Sequence, residues 1–141
     1  MNVERFIDTH AFIYQREARD ERKSAITGRI IREGVKTGNA CIGFQVVQEC
    51  LNTVLRKAEV PLGTDGARAY LETVFAPLFR VPASIALYHR GLDIQARYRY
   101  AFYDALIIAA ALDAGCTRLY SEDLQHGQQI EGLPIENPFE E

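Results

Sequence analysis

The chain has 141 residues, 48% of them hydrophobic and 25% charged, with a formal net charge of −3. That size and balance fit one globular domain over residues 1–141 with a core of its own, and they exclude fibrous and intrinsically disordered classes. The charge excludes a broad basic surface, so any nucleic-acid contact has to use local cations.

At the amino end Glu4 and Arg5 interrupt the apolar run that an export signal needs. The longest purely apolar stretch, Ala105 to Leu112, is far below the roughly 18 residues of a membrane span. A soluble, cytoplasmic protein is the expectation. Cys41, Cys50 and Cys116 sit in apolar surroundings with no C-x-x-C pair or Cys/His cluster, which reads as reduced core thiols rather than disulfides or a zinc site.

Val3 to Asp8 reads as a short strand ending on an acid, with a short helix beginning near His10. From Asp20 to Val35, Ile26, Ile30 and Ile31 recur at helical spacing among charges until Gly38-Asn39 breaks the chain. Ala40 to Phe44 is an apolar strand, followed by a helix whose stripe is Val46, Val47, Cys50, Leu51 and Val54. Pro61 to Gly66 is a turn cluster, and Ala67 to Phe75 looks helical until Pro77 ends it. Leu78 to Pro82 reads as a brief strand, and Ser84 to Tyr98 as a helix. A further helix runs from Asp104 to Ala114 and closes on Gly115. Arg118 to Ser121 reads as a strand leading into Glu122-Asp123, and Leu133 to Ile135 as a last edge strand. Strands alternating with helices predict a parallel sheet covered on both faces, with the site at the strands' carboxyl ends.

Asp8 and Asp123 fall at such ends. Asp104 opens a helix that is apolar all round and therefore buried. Each acid also suits a capping role, which supplies acceptors to free N–H groups and is compatible with ligating a metal. Glu49 lies roughly opposite its helix's apolar stripe, where a solvated glutamate needs no explanation. His10 and His126 read as structural or solvated residues.

Together, Phe6-Ile7-Asp8-Thr9, Gln48-Glu49, Phe102-Tyr103-Asp104-Ala105-Leu106-Ile107-Ile108-Ala109-Ala110-Ala111 and Ser121-Glu122-Asp123-Leu124 resemble the four acidic motifs of the PIN domain family, in order and over nearly the whole chain. The nearest likeness is to VapC-type toxins. The resemblance implies a three-layer α/β/α fold with a central parallel sheet of about five strands. It also implies that Asp8, Glu49, Asp104 and Asp123 converge as catalytic and metal-holding residues, with Thr9 and Ser121 as supporting hydroxyls. His10 departs from the family, where many relatives carry a small polar residue.

Clustered carboxylates repel one another, by roughly 4 kcal/mol for a pair at about 4 Å and an effective dielectric of about 20, and so call for cations. Oxygen-only ligands select Mg²⁺ or Mn²⁺. The implied activity is metal-dependent endoribonuclease cleavage of single-stranded or looped RNA leaving a 5′-phosphate, plausible for the toxin of a toxin–antitoxin pair. A homodimer and a small antitoxin protein are the implied partners. Two basic stretches could flank an acidic pocket: Arg16, Arg19, Arg22, Lys23 and Arg29, and later Arg90, Arg97 and Arg99 beside Tyr98 and Tyr100. Arg97 and Arg99 are the candidate RNA contacts.

Other readings fare worse. A phosphatase of the haloacid-dehalogenase type wants a second carboxylate where Asp8-Thr9-His10 has none, and a receiver domain wants a late lysine, whereas the last here is Lys57. The remaining alternative is a PIN-like RNA-binding or assembly module with little or no turnover.

Overall fold

The computed structural model describes residues 3–16, 20–56 and 62–140. In chain order the elements are β1 (Arg5–Ile7), α1 (Thr9–Arg16), α2 (Glu21–Thr37), β2 (Ala40–Gly43) and α3 (Phe44–Arg56). Next come α4 (Thr64–Tyr70), a π-helical turn (Leu71–Phe75), α5 (Ala76–Leu78), β3 (Phe79–Val81), α6 (Ile85–Tyr98), α7 (Phe102–Asp113), β4 (Arg118–Tyr120), β5 (Gln129–Ile130) and β6 (Leu133–Glu136).

The sheet runs β3-β2-β1-β4-β6-β5. The first five strands in that order are parallel, and only β5 pairs antiparallel, with β6. The expected five-strand parallel sheet is therefore present, with one short strand added. Leu133–Glu136 is interior rather than an edge, because β5 covers it through a two-residue hairpin whose Glu131 and Gly132 both have positive φ. Right-handed crossovers place α1 to α5, which step the chain from β1 outward to β3, on one face. The return to β4 beyond β1 puts α6 and α7 on the other, giving the three-layer fold.

Local chemistry explains the boundaries. Asp20 caps α2 by accepting the Lys23 N–H, and Ser84 caps α6 by accepting that of Leu87. Past α7, Gly115 at φ 74° lets its own N–H reach Leu112 O and the Cys116 N–H reach Ala111 O, closing the helix where the sequence expected a stop. Pro77 does not end its helix. The π turn before it widens the backbone, with the Ala76 N–H reaching back to Leu71 O, which makes room for the proline ring one turn later. Pro61, in the predicted turn cluster, lies outside the described residues.

The core joins both layers: Phe6, Ile42 and Leu119 from the sheet are fully buried with Phe12, Ile31 and Phe75 on one side and Ile108 and Ala109 on the other. All three cysteines are buried and free, and the sulfurs of Cys41 and Cys116 lie 3.5 Å apart. Among the described residues no helix is long and apolar enough to cross a membrane.

Candidate metal centre

Strand order reverses between β1 and β4, the place where open parallel sheets leave a crevice. There the Asp8 N–H pairs with Tyr120 O at 3.0 Å, extending the ladder one residue past β1. The Asp8 side chain is held at both oxygens: Oδ1 accepts the Thr9 N–H at 2.7 Å and Oδ2 the Ser121 hydroxyl at 2.9 Å. Burial holds its carboxyl above the ordinary aspartate value, and Asp123 adds to the rise, against the pull of those two hydrogen bonds and of His10. Thr9 contributes its backbone rather than its hydroxyl, since Oγ1 is buried without a hydrogen-bond partner among the described residues.

Asp104 sits in the first turn of α7 but is not its cap; Ala101 holds that position and offers no side chain for it. Partial burial and the nearby Asp123 raise its carboxyl. Glu49, on the outward face of α3, is raised by lost hydration and then by Asp8, with a smaller push from Asp104, while hydrogen bonding from Gln45 and the nearness of His10 pull it back. The influences link all four in a ring: Asp123 raises Asp8 and Asp104, and both of these raise Glu49.

Two further residues adjoin these acids: His10, which read as structural or solvated in the sequence, and Gln45, which the sequence did not single out. The Nδ1 of His10 lies 3.2 Å from Asp123 Oδ2. The amide of Gln45 donates to Tyr103 O at 3.2 Å, one residue before Asp104. His126 is structural: its Nδ1 accepts the Asn137 N–H at 2.9 Å.

The basic stretches are less free than their sequence suggests. Lys23 is bound to Glu122 and to Tyr14 and lies over the Tyr14 and Phe139 rings, while Arg22 donates to Phe139 O. Glu122, opposed by desolvation, is still brought below its ordinary value by Lys23 and Tyr14. Arg19 lies outside the described residues. Arg97 is exposed in an open groove of about 550 Å³ with Arg90, Asp93 and Glu131, and Arg99 ends α6 at φ 62°. Tyr100 donates to Gln128.

Among the described residues no three His, Cys, Asp or Glu side chains stand close enough together to grip one ion directly. The donor chemistry nevertheless fits a hard cation that keeps much of its own water: four carboxylates, no thiolate, and buried oxygens of Thr9 and Gln45 without hydrogen-bond partners among the described residues. Such an ion needs few direct protein ligands.

Comparisons with known proteins agree with this architecture. The family model for the PIN domain matches residues 5–128. No curated protein sequence matches. Among solved structures, VapC20 of Mycobacterium tuberculosis, described as a sarcin-ricin loop cleaving toxin, superposes with a TM-score of 0.63 at 21% identity, over 85% of this chain and 90% of that one. A toxin–antitoxin complex from Klebsiella pneumoniae gives 0.64 at 15% identity over 97% and 99%. VapBC2 of Rickettsia felis, bound to a DNA fragment from its promoter, gives 0.65 at 12% over 94% and 96%. At these identities the likeness is one of fold.

Proposed function

Because the chain belongs to the PIN domain family, we propose that it is a divalent-metal-dependent endoribonuclease, a hydrolase of RNA phosphodiester bonds, with Asp8, Glu49, Asp104 and Asp123 as its catalytic and metal-holding residues. The observation that carries the reading is the ring of four acids at the sheet's switch point, three of them held above their ordinary values by burial and by one another. A scaffold gains nothing from such repulsion, whereas a cation removes it.

Asp8 is the fixed member. With the Thr9 N–H and the Ser121 hydroxyl each holding one oxygen, the carboxylate's remaining lone pairs have a set direction. Glu49 from α3 and Asp104 from the start of α7 bring two further carboxylates, and Asp123 stands beside His10. Mg²⁺ or Mn²⁺, when bound, supplies charge to polarise a scissile phosphate and acidify a water. Arg97 and Arg99, at the end of α6 leading into α7, are the proposed backbone contacts to RNA, which is the proposed substrate.

The similar structures include toxin–antitoxin complexes, which supports a toxin role with a small antitoxin as partner. A homodimer and a cytoplasmic setting belong to the same reading. The spread of the acids beyond direct joint reach of one ion favours the second reading, a PIN-like binding or assembly module. RNA cleavage assays decide between them. Cleavage should require Mg²⁺ or Mn²⁺, stop with chelator and fall at least a hundredfold in Asp104→Asn; undiminished cleavage by that variant would sink the assignment.

A further inference from the structure

Gln45 is the second residue of α3, one helical turn before Glu49 and on the same side of the helix. It is only 7% exposed, one of four buried polar residues among those described. A glutamine carries two amide protons and one carbonyl oxygen with two lone pairs. Here the nitrogen donates to Tyr103 O at 3.2 Å, and Gln45 also pulls the Glu49 carboxyl back from the rise that burial gives it. Turning the amide over would set its oxygen against the Tyr103 carbonyl, acceptor against acceptor, so the orientation is fixed. That leaves Oε1 buried without a hydrogen-bond partner among the described residues.

Two facts need one explanation. The Gln45 side chain ties the start of α3, one turn before Glu49, to the residue preceding Asp104 in the first turn of α7. The same side chain keeps a buried acceptor unsatisfied, which native proteins tolerate mainly where a water, ion or ligand completes the group. An apolar residue of the same size would fill the space without that penalty.

We propose that Gln45 is a positioning residue of the acid site, its nitrogen fixing the start of α3, one turn before Glu49, against the residue that precedes Asp104, and its oxygen accepting a hydrogen bond from a water retained by the bound divalent ion. The inference rests on the metal-dependent reading above and adds to it a residue that touches the ion only through water. Outer partners of this kind typically change metal affinity about 10- to 100-fold when removed.

The test follows thermal unfolding of the full chain against Mn²⁺ concentration, for the parent and Gln45→Leu, each referenced to its melting temperature in chelator. The expected result is a Mn²⁺ midpoint raised about tenfold or more in Gln45→Leu, with its melting temperature in chelator close to the parent's. A lowered melting temperature in chelator with an unchanged midpoint would make Gln45 a packing residue and overturn the proposal. If Gln45→Leu fails to fold, Gln45→Met, unbranched and more adaptable, is judged by the same midpoint. A parent that ignores Mn²⁺ altogether would remove the metal reading itself and this inference with it, a result distinct from a responsive parent matched by its variant.

Discussion

Replacing Asp8 by asparagine changes charge while keeping shape and both contacts: the amide oxygen can accept the Thr9 N–H, and the amide nitrogen can donate to the Ser121 hydroxyl. Exchanging two charge-assisted hydrogen bonds for neutral ones costs about 1–2 kcal/mol. Against this stands the release of a buried charge from Glu49 and Asp123. Screened by solvent at the exposed Glu49 and Asp123, each repulsion is worth on the order of 1 kcal/mol. The raised Asp8 carboxyl fixes the sign, since the folded protein favours its uncharged form. Asp8→Asn in chelator should therefore be as stable as the parent or up to about 1 kcal/mol more so, about 3 °C in melting temperature for a chain of this length. Metal then reverses the order: at a hundred times its dissociation constant it should add about 2.7 kcal/mol to the parent, roughly 9 °C, and far less to the variant. Differential scanning calorimetry with chelator and with graded Mn²⁺ reads both effects, using Asp113→Asn as a control acid outside the ring. A parent indifferent to metal, together with a destabilised Asp8→Asn, would make Asp8 an ordinary cap and refute the reasoning.

The metal-free protein should gain stability on acidification from neutral pH. Asp8, Glu49 and Asp104 bind protons more readily folded than unfolded, so the cost of burying their charges, with their repulsion added, is fully present above their raised values and is relieved as pH falls toward the ordinary 3.8–4.5, before loss of the Lys23–Glu122 contact takes over; urea unfolding from pH 7 down to about 4 measures the slope, and an opposite trend throughout contradicts the burial of these charges. Arg97→Ala with Arg99→Ala should weaken RNA binding and reduce the salt slope of log K by about 1–2 in fluorescence anisotropy, with an unchanged slope removing both as phosphate contacts. Gly34→Ala should lower the melting temperature by roughly 3–10 °C, because the new methyl would stand 2.7 Å from Ala40 Cβ in a closed core and force about 1–3 kcal/mol of adjustment.

Apolar runs and period made the five parallel strands and most helices readable in the sequence, because burial on both faces of a sheet writes itself as local composition. What escaped depended on distance along the chain or on very short elements. The two residues of β5 carry no pattern of their own. Lys23 and Arg22 read as free cations because Glu122 and the Phe139 carbonyl, their partners, lie 99 and 117 residues away. Pro77 read as a terminator because the compensating π turn has no composition signal. Glu49 read as solvated and is exposed; what the helix pattern could not report is that it also feels the charges of Asp8 and Asp104, which lie 41 and 55 residues away in sequence. Gln45 could have been noticed as a polar residue one turn before Glu49 on the same helix, but its burial follows from the docking of α7, which no local pattern reports.

The bond from Ser121 to Asp8 spans 113 residues, and this sets the order in which a growing chain can acquire its chemistry. Synthesis at about 5–20 residues per second releases Asp8 and Glu49 roughly 3–20 seconds before α7 and β4 exist. Until β4 docks beside β1, Asp8 lacks one of the two donors that orient it, and neither Asp104 nor Asp123 is in place. If the proposed assignment of the four acids holds, a nascent or truncated chain is inert by topology, and recovery of RNA cleavage in refolding should keep time with the slow, non-local closure of the sheet rather than with early helix formation.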